Sequence, residues 1–508
     1  MVTIVDKPEA RVVKNTVFLY MRMLIVLLVN LYTSRIVLST LGVENYGIYD
    51  LVGGVVALFT FMNASLSGAT SRFMAFALGK KDNSSKTLFS TILTIHIIVA
   101  VLVGLIAETA GAFLIDRLVI PEERIWAAKI TFHLSVAATS VSILRIPYNA
   151  SIIAHEDMKV YAYVSILEVF LKLVIVYLLT IFTFDKLVAY SSLVCFVTIL
   201  ISLVYMMYCL KAYIETRTFC GYEKSYFKMI LGFFSWDLYG NMSVVANAQG
   251  TNMVLNLFGG VAVNAACSIA NQVRAAVSGF ASNFILAMNA QIIKSYASDN
   301  YELMNRLMVR GGLLSFSLLW FFSLPLILEV DYVLSIWLVE VPEHTSWLLR
   351  LALVFSLIQT MYSSVNIGIH ATGNIRRLSF ISGTLLLIGV LISYIIMKRY
   401  DYVYIPFIVN IGAIILSAFV NIIILHAEMQ EFSVGYYVRN VFAKCLIISI
   451  LTFPLPYFVH SLMGESLWRF LAVGGVSVLV SCLAIFYLAL DREMRNVVLA
   501  ILKKIFRK

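Results

Sequence analysis

Nine basic side chains lie inside long apolar segments of the sequence. They are Arg22, Arg35, Arg72, Lys129, Arg145, Lys172, Arg274, Arg350 and Arg469. A charge held inside a bilayer costs at least about 2.5 kcal/mol on insertion scales, so a chain keeps it where it faces water or a partner. Because a guanidinium binds phosphate oxygens through two hydrogen bonds, this set indicates a wet path for an anionic group.

Depth within the apolar segments separates these nine cations into three groups, one of which is Arg22 and Arg35, near segment ends but equally compatible with a cavity and with snorkelling. Arg72, Lys129, Arg350 and Arg469 lie near segment ends, where long side chains reach the headgroups by snorkelling. Arg274 and Lys172 lie near the middle of their segments, and Arg145 is also set in from an end. We therefore predict an anionic-headgroup site made by Arg274, Arg145, Arg35, Arg22 and Lys172.

Acidic residues inside the segments are fewer, which leaves the interior with a positive excess. Glu168 and Lys172 are four residues apart and share one helical face. They form either a self-neutralising pair or a site where a desolvated carboxylate exchanges a proton. Asp237 and Asp50 are further carboxylates inside the segments. Glu168, Asp237 and Asp50 are therefore candidates for coupling transport to an ion.

The sequence carries no recognisable signature of catalysis. The six cysteines have no CxxC spacing, and there is no GxxxxGK phosphate-binding loop, DxD motif or nucleophile elbow. We predict no catalytic residues, no metal site, no cofactor and no direct use of ATP. The protein is predicted not to be an enzyme.

Composition places the chain in a membrane. Of its 508 residues, 61% are hydrophobic and 13% are charged, and the mean hydropathy is +0.91. Soluble proteins contain about 25% charged residues. The net charge of +10 would suggest nucleic acid in a soluble chain, but here we attribute it to the positive-inside rule and predict no nucleic-acid partner.

Fourteen apolar runs are long enough to cross a bilayer. A polar turn at 41–47 is predicted between the first two. The runs are 16–41, 46–78, 87–108, 125–154, 160–182, 187–210, 229–258, 261–293, 308–330, 344–370, 378–397, 404–427, 441–460 and 467–489. With the N-terminus inside, the inner connections and tails hold 24 Lys and Arg and the outer ones hold 5, so both termini are predicted to be cytoplasmic.

An internal repeat relates the two halves of the chain. At a shift of 217 residues, Val37-Leu38 falls on Val254-Leu255, Asn149 on Asn366 and Ser165 on Ser382. The shift covers six runs, an even number, so the two halves have the same orientation. Parallel repeats of this kind build transporters with a substrate path between two lobes.

The whole chain resembles the polysaccharide-exporter branch of the multidrug/oligosaccharidyl-lipid/polysaccharide (MOP) superfamily, and more narrowly an O-antigen or capsule repeat-unit flippase. The stretches that carry this resemblance are RIVLSTLGVENYGIYDLVGG (35–54), RFMAFALGKKD (72–82), RIPYNASIIAHEDMKVYAYVSILE (145–168) and NLFGGVAVNAACSIANQVRAAVSGFASNFILAMNAQIIKSYA (256–297). The resemblance implies an all-α integral membrane fold of about 14 helices, V-shaped and MATE-like. Two parallel six-helix lobes would be followed by two C-terminal helices.

The domains expected from the repeat and the resemblance are an N-terminal lobe (1–220), a C-terminal lobe (221–432), and two further spans with a basic tail (433–508). The implied function is transfer of undecaprenyl-diphosphate-linked oligosaccharide across a bacterial inner membrane by alternating access. Expected partners are that substrate, membrane lipids and a glycan polymerase or ligase. A lipid II-type flippase, a multidrug or small-molecule antiporter of the same superfamily, and a membrane glycan polymerase or ligase remain the alternatives.

Overall fold

A computed structural model describes residues 8–57, 60–80, 84–115, 121–181, 185–217, 219–338, 341–400, 402–491 and 494–496. Within these ranges all regular secondary structure is helical. In a bilayer core there is no water to satisfy backbone groups, and a helix satisfies them within its own segment. The predicted all-α membrane class is therefore confirmed.

The chain divides into two compact units. Unit 1 is Met1–Asn241 with Tyr296–Ser298, and unit 2 is Met242–Ser295 with Asp299–Lys508. The helices of unit 1 are α1 (Pro8–Ala57), α2 (Thr60–Lys80), α3 (Ser85–Ile115), α4 (Ile125–Ala154), α5 (Met158–Ile181) and α6 (Lys186–Ala212). Its apolar core includes a cluster on α4, α5 and α6 around Ile152, Ile175 and Ile201.

Helix α7 (Lys224–Ala297) belongs partly to each unit, and it breaks at Gly260, where φ is 72° and ψ is −171°. The break falls between the predicted spans 229–258 and 261–293. Unit 2 continues with α8 (Tyr301–Leu328), α9 (Val330–Trp337), α10 (Thr345–Thr372), α11 (Arg376–Met397), α12 (Ile405–Glu428), α13 (Val434–Tyr437), α14 (Lys444–Thr452), α15 (Pro454–Leu462) and α16 (Leu467–Ala484). Two π-helical segments, Val438–Ala443 and Ile485–Ala489, extend α13 and α16.

Eleven helices in the described ranges are long and apolar enough to cross a membrane. They coincide with eleven of the fourteen predicted runs. Of the other three runs, 16–41 falls on α1, 46–78 falls on the end of α1 and on α2, and 229–258 falls on the first part of α7. A fold of about fourteen membrane helices is consistent with this arrangement.

The predicted turn at 41–47 is wrong, because helix α1 continues through it to Ala57. Asn45 is a residue type that favours turns, since its short amide side chain competes for backbone hydrogen bonds. In the structure its Nδ2 donates to the carbonyl oxygen of Leu41 at 3.0 Å, one turn back along the same helix. Its polar group is therefore satisfied without a break in the helix.

The repeat of 217 residues reappears in the helix positions. Shifted by that amount, the starts of α3, α4, α5 and α6 fall at 302, 342, 375 and 403, within three residues of the starts of α8, α10, α11 and α12. The same partners pack in both units, since α4 lies against α3 and α6 while α10 lies against α8 and α12. The two units therefore share one pattern over these four helices.

The C-terminal helices are fixed to the rest of unit 2 by buried polar contacts. The indole Nε1 of Trp320 on α8 donates to Thr452 Oγ1 at 2.8 Å, and the Arg469 guanidinium donates to Glu329 Oε2 at 2.9 and 3.1 Å. Tyr437 is fully buried and donates its hydroxyl to a main-chain carbonyl oxygen of α10 at 2.8 Å. Buried polar groups lose their water, so each needs such a partner. These contacts make α13–α16 part of unit 2.

Candidate functional site

Three charged side chains on two helices of unit 1 form an ion-paired triad. Arg145 on α4 donates to Glu168 Oε2 on α5 at 3.1 Å, and Lys172 Nζ donates to Glu168 Oε1 at 2.9 Å. Each carboxylate oxygen therefore holds one cation, and the triad carries a net charge of +1. The shared helical face of Glu168 and Lys172 is confirmed, and the pairing extends to a residue 23 positions away.

The triad faces the inside of unit 1. On α5 the large exposed apolar side chains share one side of the helix, and they are Tyr163, Leu167, Phe170, Tyr177 and Leu178. Glu168 and Lys172 lie on the opposite side. The Lys172 side chain nevertheless keeps 39% of its exposure and Glu168 keeps 21%. Exposure on this inward-facing side means that an accessible space lies beside these groups.

Two cations of unit 1, Arg145 of the triad and Arg22 of α1, lie over aromatic rings. The Arg145 guanidinium lies over the ring of Tyr205 on α6, with 5.7 Å to the centroid. Arg22 on α1 lies over the ring of Tyr161 on α5 at 4.6 Å, and its buried Nε makes no hydrogen bond within the described residues. A cation on an aromatic face is attracted by the ring quadrupole without being neutralised. Arg22 therefore contributes positive charge to the interior of unit 1.

Asp237 lies elsewhere in unit 1, near the end of that unit's share of α7. Its side chain is buried at 7% exposure, and Asn241 Nδ2 donates to its Oδ2 at 3.0 Å. The same amide group donates to Ser65 Oγ on α2 at 3.0 Å. These contacts lie between α2 and α7, whereas the triad lies between α4 and α5. Asp237 and Glu168, two of the predicted ion-coupling residues, therefore occupy separate places.

Arg274 is the predicted site residue of unit 2, and all its contacts in the described residues are neutral. Its Nε donates to Asn271 Oδ1 at 3.3 Å, one η-nitrogen donates to Ser356 Oγ at 3.5 Å, and the Phe355 ring centroid lies 5.9 Å away. The side chain is partly buried on the second part of α7. These long, neutral contacts leave hydrogen-bonding capacity on the guanidinium for an incoming anion.

The other charged positions singled out in the sequence have varied surroundings. Arg35 and Asp50 lie in α1, but their side chains fall outside the described residues. Arg72 is 6% exposed and lies against three phenylalanine rings, which buries a residue expected to reach the headgroups. Arg350 and Arg469 are held by ion pairs to acidic residues of unit 2.

The ion pairs between different helices were not predicted from the sequence, and two of them show why. Arg145 with Glu168 joins α4 to α5, and Arg310 with Asp491 at 2.8 Å joins α8 to the chain after α16. Spacing along one helix identified Glu168 and Lys172, whereas these partners are 23 and 181 residues apart. In the sequence, the available signal for Arg145 was a lone cation set into an apolar run.

No protein-family model matches the chain, and no curated protein matches its sequence. Solved structures do match its fold. An outward-facing multidrug resistance MATE family transporter of the MOP superfamily aligns with a TM-score of 0.69 at 16% identity, covering 83% of this chain and 97% of that one. A point mutant of a MATE protein gives 0.72 at 17% identity with the same coverage.

A MOP superfamily transporter from Pyrococcus furiosus, whose binding pocket is described as reversed in polarity and suggestive of a different function, gives 0.63 at 15% identity over 83% and 96% of the two chains. The chain therefore has the MATE-like fold of MOP superfamily transporters, as predicted. These neighbours are transporters rather than enzymes.

Proposed function

We propose that this protein moves undecaprenyl-diphosphate-linked oligosaccharides from the inner to the outer leaflet by alternating access. The observation that carries the proposal is Arg274, a partly buried guanidinium whose contacts in the described residues are all neutral. The MATE-like fold supports a transporter, and the positive charge inside the units supports an anionic cargo.

A partly desolvated cation without a carboxylate partner is costly in an empty protein. It becomes favourable when an anionic ligand completes its hydrogen bonds, and the planar guanidinium matches the paired oxygens of a diphosphate. A lipid-linked sugar must carry its diphosphate across a layer with almost no water. Arg274 would replace part of that lost hydration.

The cations of unit 1 support the same cargo. Arg145 and Lys172 share the single carboxylate Glu168, and Arg22 has an aromatic ring and no carboxylate among its described contacts. With Arg35, they complete the proposed headgroup-binding set in that unit. The proposed ion-coupling residues are Glu168, Asp237 and Asp50.

A multidrug antiporter is the second candidate, because transporters of that kind share the fold. The fold comparison supports both functions equally, so the sign of the interior charge has to decide between them. A cationic drug favours carboxylates, and Asp237 is a buried carboxylate that could serve it. Arg274 and the cations of unit 1 favour an anion instead. A lipid II-type flippase would use the same charges and differ only in the sugar.

The proposed setting is a bacterial inner membrane with both termini in the cytoplasm. The excess of Lys and Arg in alternate connections supports that orientation. The proposed partners are the lipid-linked substrate, the surrounding lipids and a glycan polymerase or ligase that takes the product. No cofactor and no metal are included in the proposal.

The test is transport in proteoliposomes that contain the full chain and a labelled undecaprenyl-diphosphate oligosaccharide. An impermeant glycosidase added outside should digest more label than in protein-free vesicles as inner-leaflet lipid appears outside. A lipid II analogue and a cationic dye are run in parallel. Faster movement of lipid II would assign the related flippase activity, and dye transport without lipid movement would assign the antiporter.

A further inference from the structure

Glu168 occupies the position that an anionic ligand of Arg145 and Lys172 would take. Its two oxygens each accept a hydrogen bond from a different cation, at 3.1 and 2.9 Å, and the cations come from α4 and from the next turn of α5. A phosphate group offers oxygens in a similar divergent arrangement. The carboxylate thus stands where a bound phosphate would bridge the two helices.

This arrangement is accessible from the interior of unit 1. Lys172 keeps 39% of its side-chain exposure and Arg145 keeps 23%, although both lie away from the apolar outer side of α5. Among the described residues, Tyr205 of α6 lies beside Arg145, and Arg22 of α1 lies over the ring of Tyr161, which is on α5 with Glu168 and Lys172. Among the described side chains named here, the charges apart from the central carboxylate are positive.

We propose that Glu168 is a resident counter-ion in a diphosphate-binding site formed by Arg145 and Lys172. The inference rests on the anionic cargo of the proposed function and adds how unit 1 handles that cargo. In the empty protein Glu168 neutralises one of the two cations. A diphosphate that binds there displaces the carboxylate, so ion pairing of Glu168 and occupancy by cargo exclude each other.

The physical reason for this exclusion is repulsion between like charges in a poorly solvated space. A carboxylate and a diphosphate within about 4–6 Å of one another disfavour each other's ionised forms. Each cation already donates one hydrogen bond to Glu168, so its positive charge is partly neutralised before a diphosphate arrives. Binding is therefore a competition, and the strength of the Glu168 pairs limits the affinity for cargo. A modest affinity suits a carrier that must release its cargo on the other side.

The competition is measurable with a short polyprenyl diphosphate. Farnesyl diphosphate binding to the purified full-length protein is compared for wild type, Glu168→Gln, Arg145→Gln and the double variant. Glu168→Gln should bind roughly tenfold tighter, since a charge-assisted competitor is removed. Arg145→Gln should bind more weakly than wild type, and adding Glu168→Gln to it should recover only part of the affinity.

Glu302→Gln serves as the matched control, because Glu302 also pairs with a cation four residues away but is 86% exposed. Its affinity should equal that of wild type. If Glu168→Gln does not fold, Glu168→Asp tests the same point. A side chain shorter by one methylene cannot reach both cations, so Glu168→Asp should raise the affinity for farnesyl diphosphate by a smaller factor.

The counter-ion proposal is overturned if the folded Glu168 variant binds farnesyl diphosphate with unchanged or weaker affinity than wild type. It is also overturned if neither wild type nor this variant binds farnesyl diphosphate. These results are distinct from those of the transport assay. Tighter binding by Glu168→Gln without movement of the oligosaccharide lipid would uphold the counter-ion and reject the proposed cargo.

Discussion

Glu156 and Gly373 lie 217 residues apart, and both have a left-handed backbone, with φ of 64° and 84°. Each follows the fourth helix of its repeat, α4 in unit 1 and α10 in unit 2. The residue after each one is tied to a later helix, since Tyr208 of α6 donates to Asp157 at 2.5 Å and Asn374 donates to the last residue of α12 at 3.0 Å. The repeat is therefore visible in a single backbone angle.

Exchanging the residue types at these two positions should change stability in opposite directions. A residue with a Cβ costs about 1–2 kcal/mol in the left-handed region, and glycine does not. Gly373→Ala should lower the free energy of unfolding by about 1 kcal/mol, and Glu156→Gly should raise it by a similar or smaller amount. Thermal unfolding in detergent is the measurement.

Gly412→Ala is the control for this pair. Gly412 lies inside α12, its φ is not positive, and no heavy atom lies within 4 Å of the place that an alanine Cβ would occupy. Alanine should be neutral or stabilising there, because glycine is a poor helix former. Equal destabilisation by Gly373→Ala and Gly412→Ala would contradict the conformational explanation.

The ion pair of Glu329 and Arg469 should contribute far more to stability than an exposed pair. Glu329 is 1% exposed, and its carboxylate contacts Arg469 at 2.9 Å and His460 at 2.8 Å. Removing one partner of a buried pair costs about 3–5 kcal/mol, because the other charge stays buried. Arg469→Ala should therefore lower the thermal unfolding temperature clearly.

Arg306→Ala is the comparison, since Arg306 and Glu302 keep 46% and 86% of their side-chain exposure. An exposed pair contributes about 0–1 kcal/mol. Similar melting temperatures for the two alanine variants would show that the Glu329 pair does not hold α16 to the end of α8.

The contact between His155, which follows α4, and Glu215, which follows α6, should make the stability of the fold depend on pH. His155 Nε2 lies 2.6 Å from Glu215 Oε1, and the His155 ring stacks on Tyr213 with 4.0 Å between centroids. Burial opposes ionisation of Glu215, but the hydrogen bond and charge of His155 outweigh it and hold the pKa of this carboxyl below its usual value. A lowered pKa stabilises the folded state above the unfolded pKa, and this stabilisation is lost as pH falls through the folded value.

Wild type should therefore be more stable than Glu215→Gln at neutral pH, and the difference should shrink as pH falls below the ordinary carboxyl pKa of about 4.3. Melting temperatures of both proteins across this range provide the measurement. A difference that stays constant with pH would mean that the ionised carboxylate does not contribute.

The sequence predicted helices better than contacts. Long apolar runs identified the spans of α3 to α6 and of α8 and α10 to α12, because bilayer thickness imposes a minimum length. Spacing of four residues predicted the face shared by Glu168 and Lys172. Arg145 joins them only through the packing of α4 on α5, and Arg72 among phenylalanine rings depends on packing in the same way. Turn-forming residue types at 41–47 predicted a break between two helices, but the structure has one continuous helix there.

The central claim is an anionic cargo bound by Arg274, and transport by Arg274 variants tests it most directly. In proteoliposomes, Arg274→Ala should reduce the rate of undecaprenyl-diphosphate oligosaccharide movement by at least about tenfold, as expected for the loss of one charge-assisted contact. Arg274→Lys, which keeps the charge without the paired donors, should retain an intermediate rate. Wild-type rates in a folded Arg274→Ala protein would contradict the account.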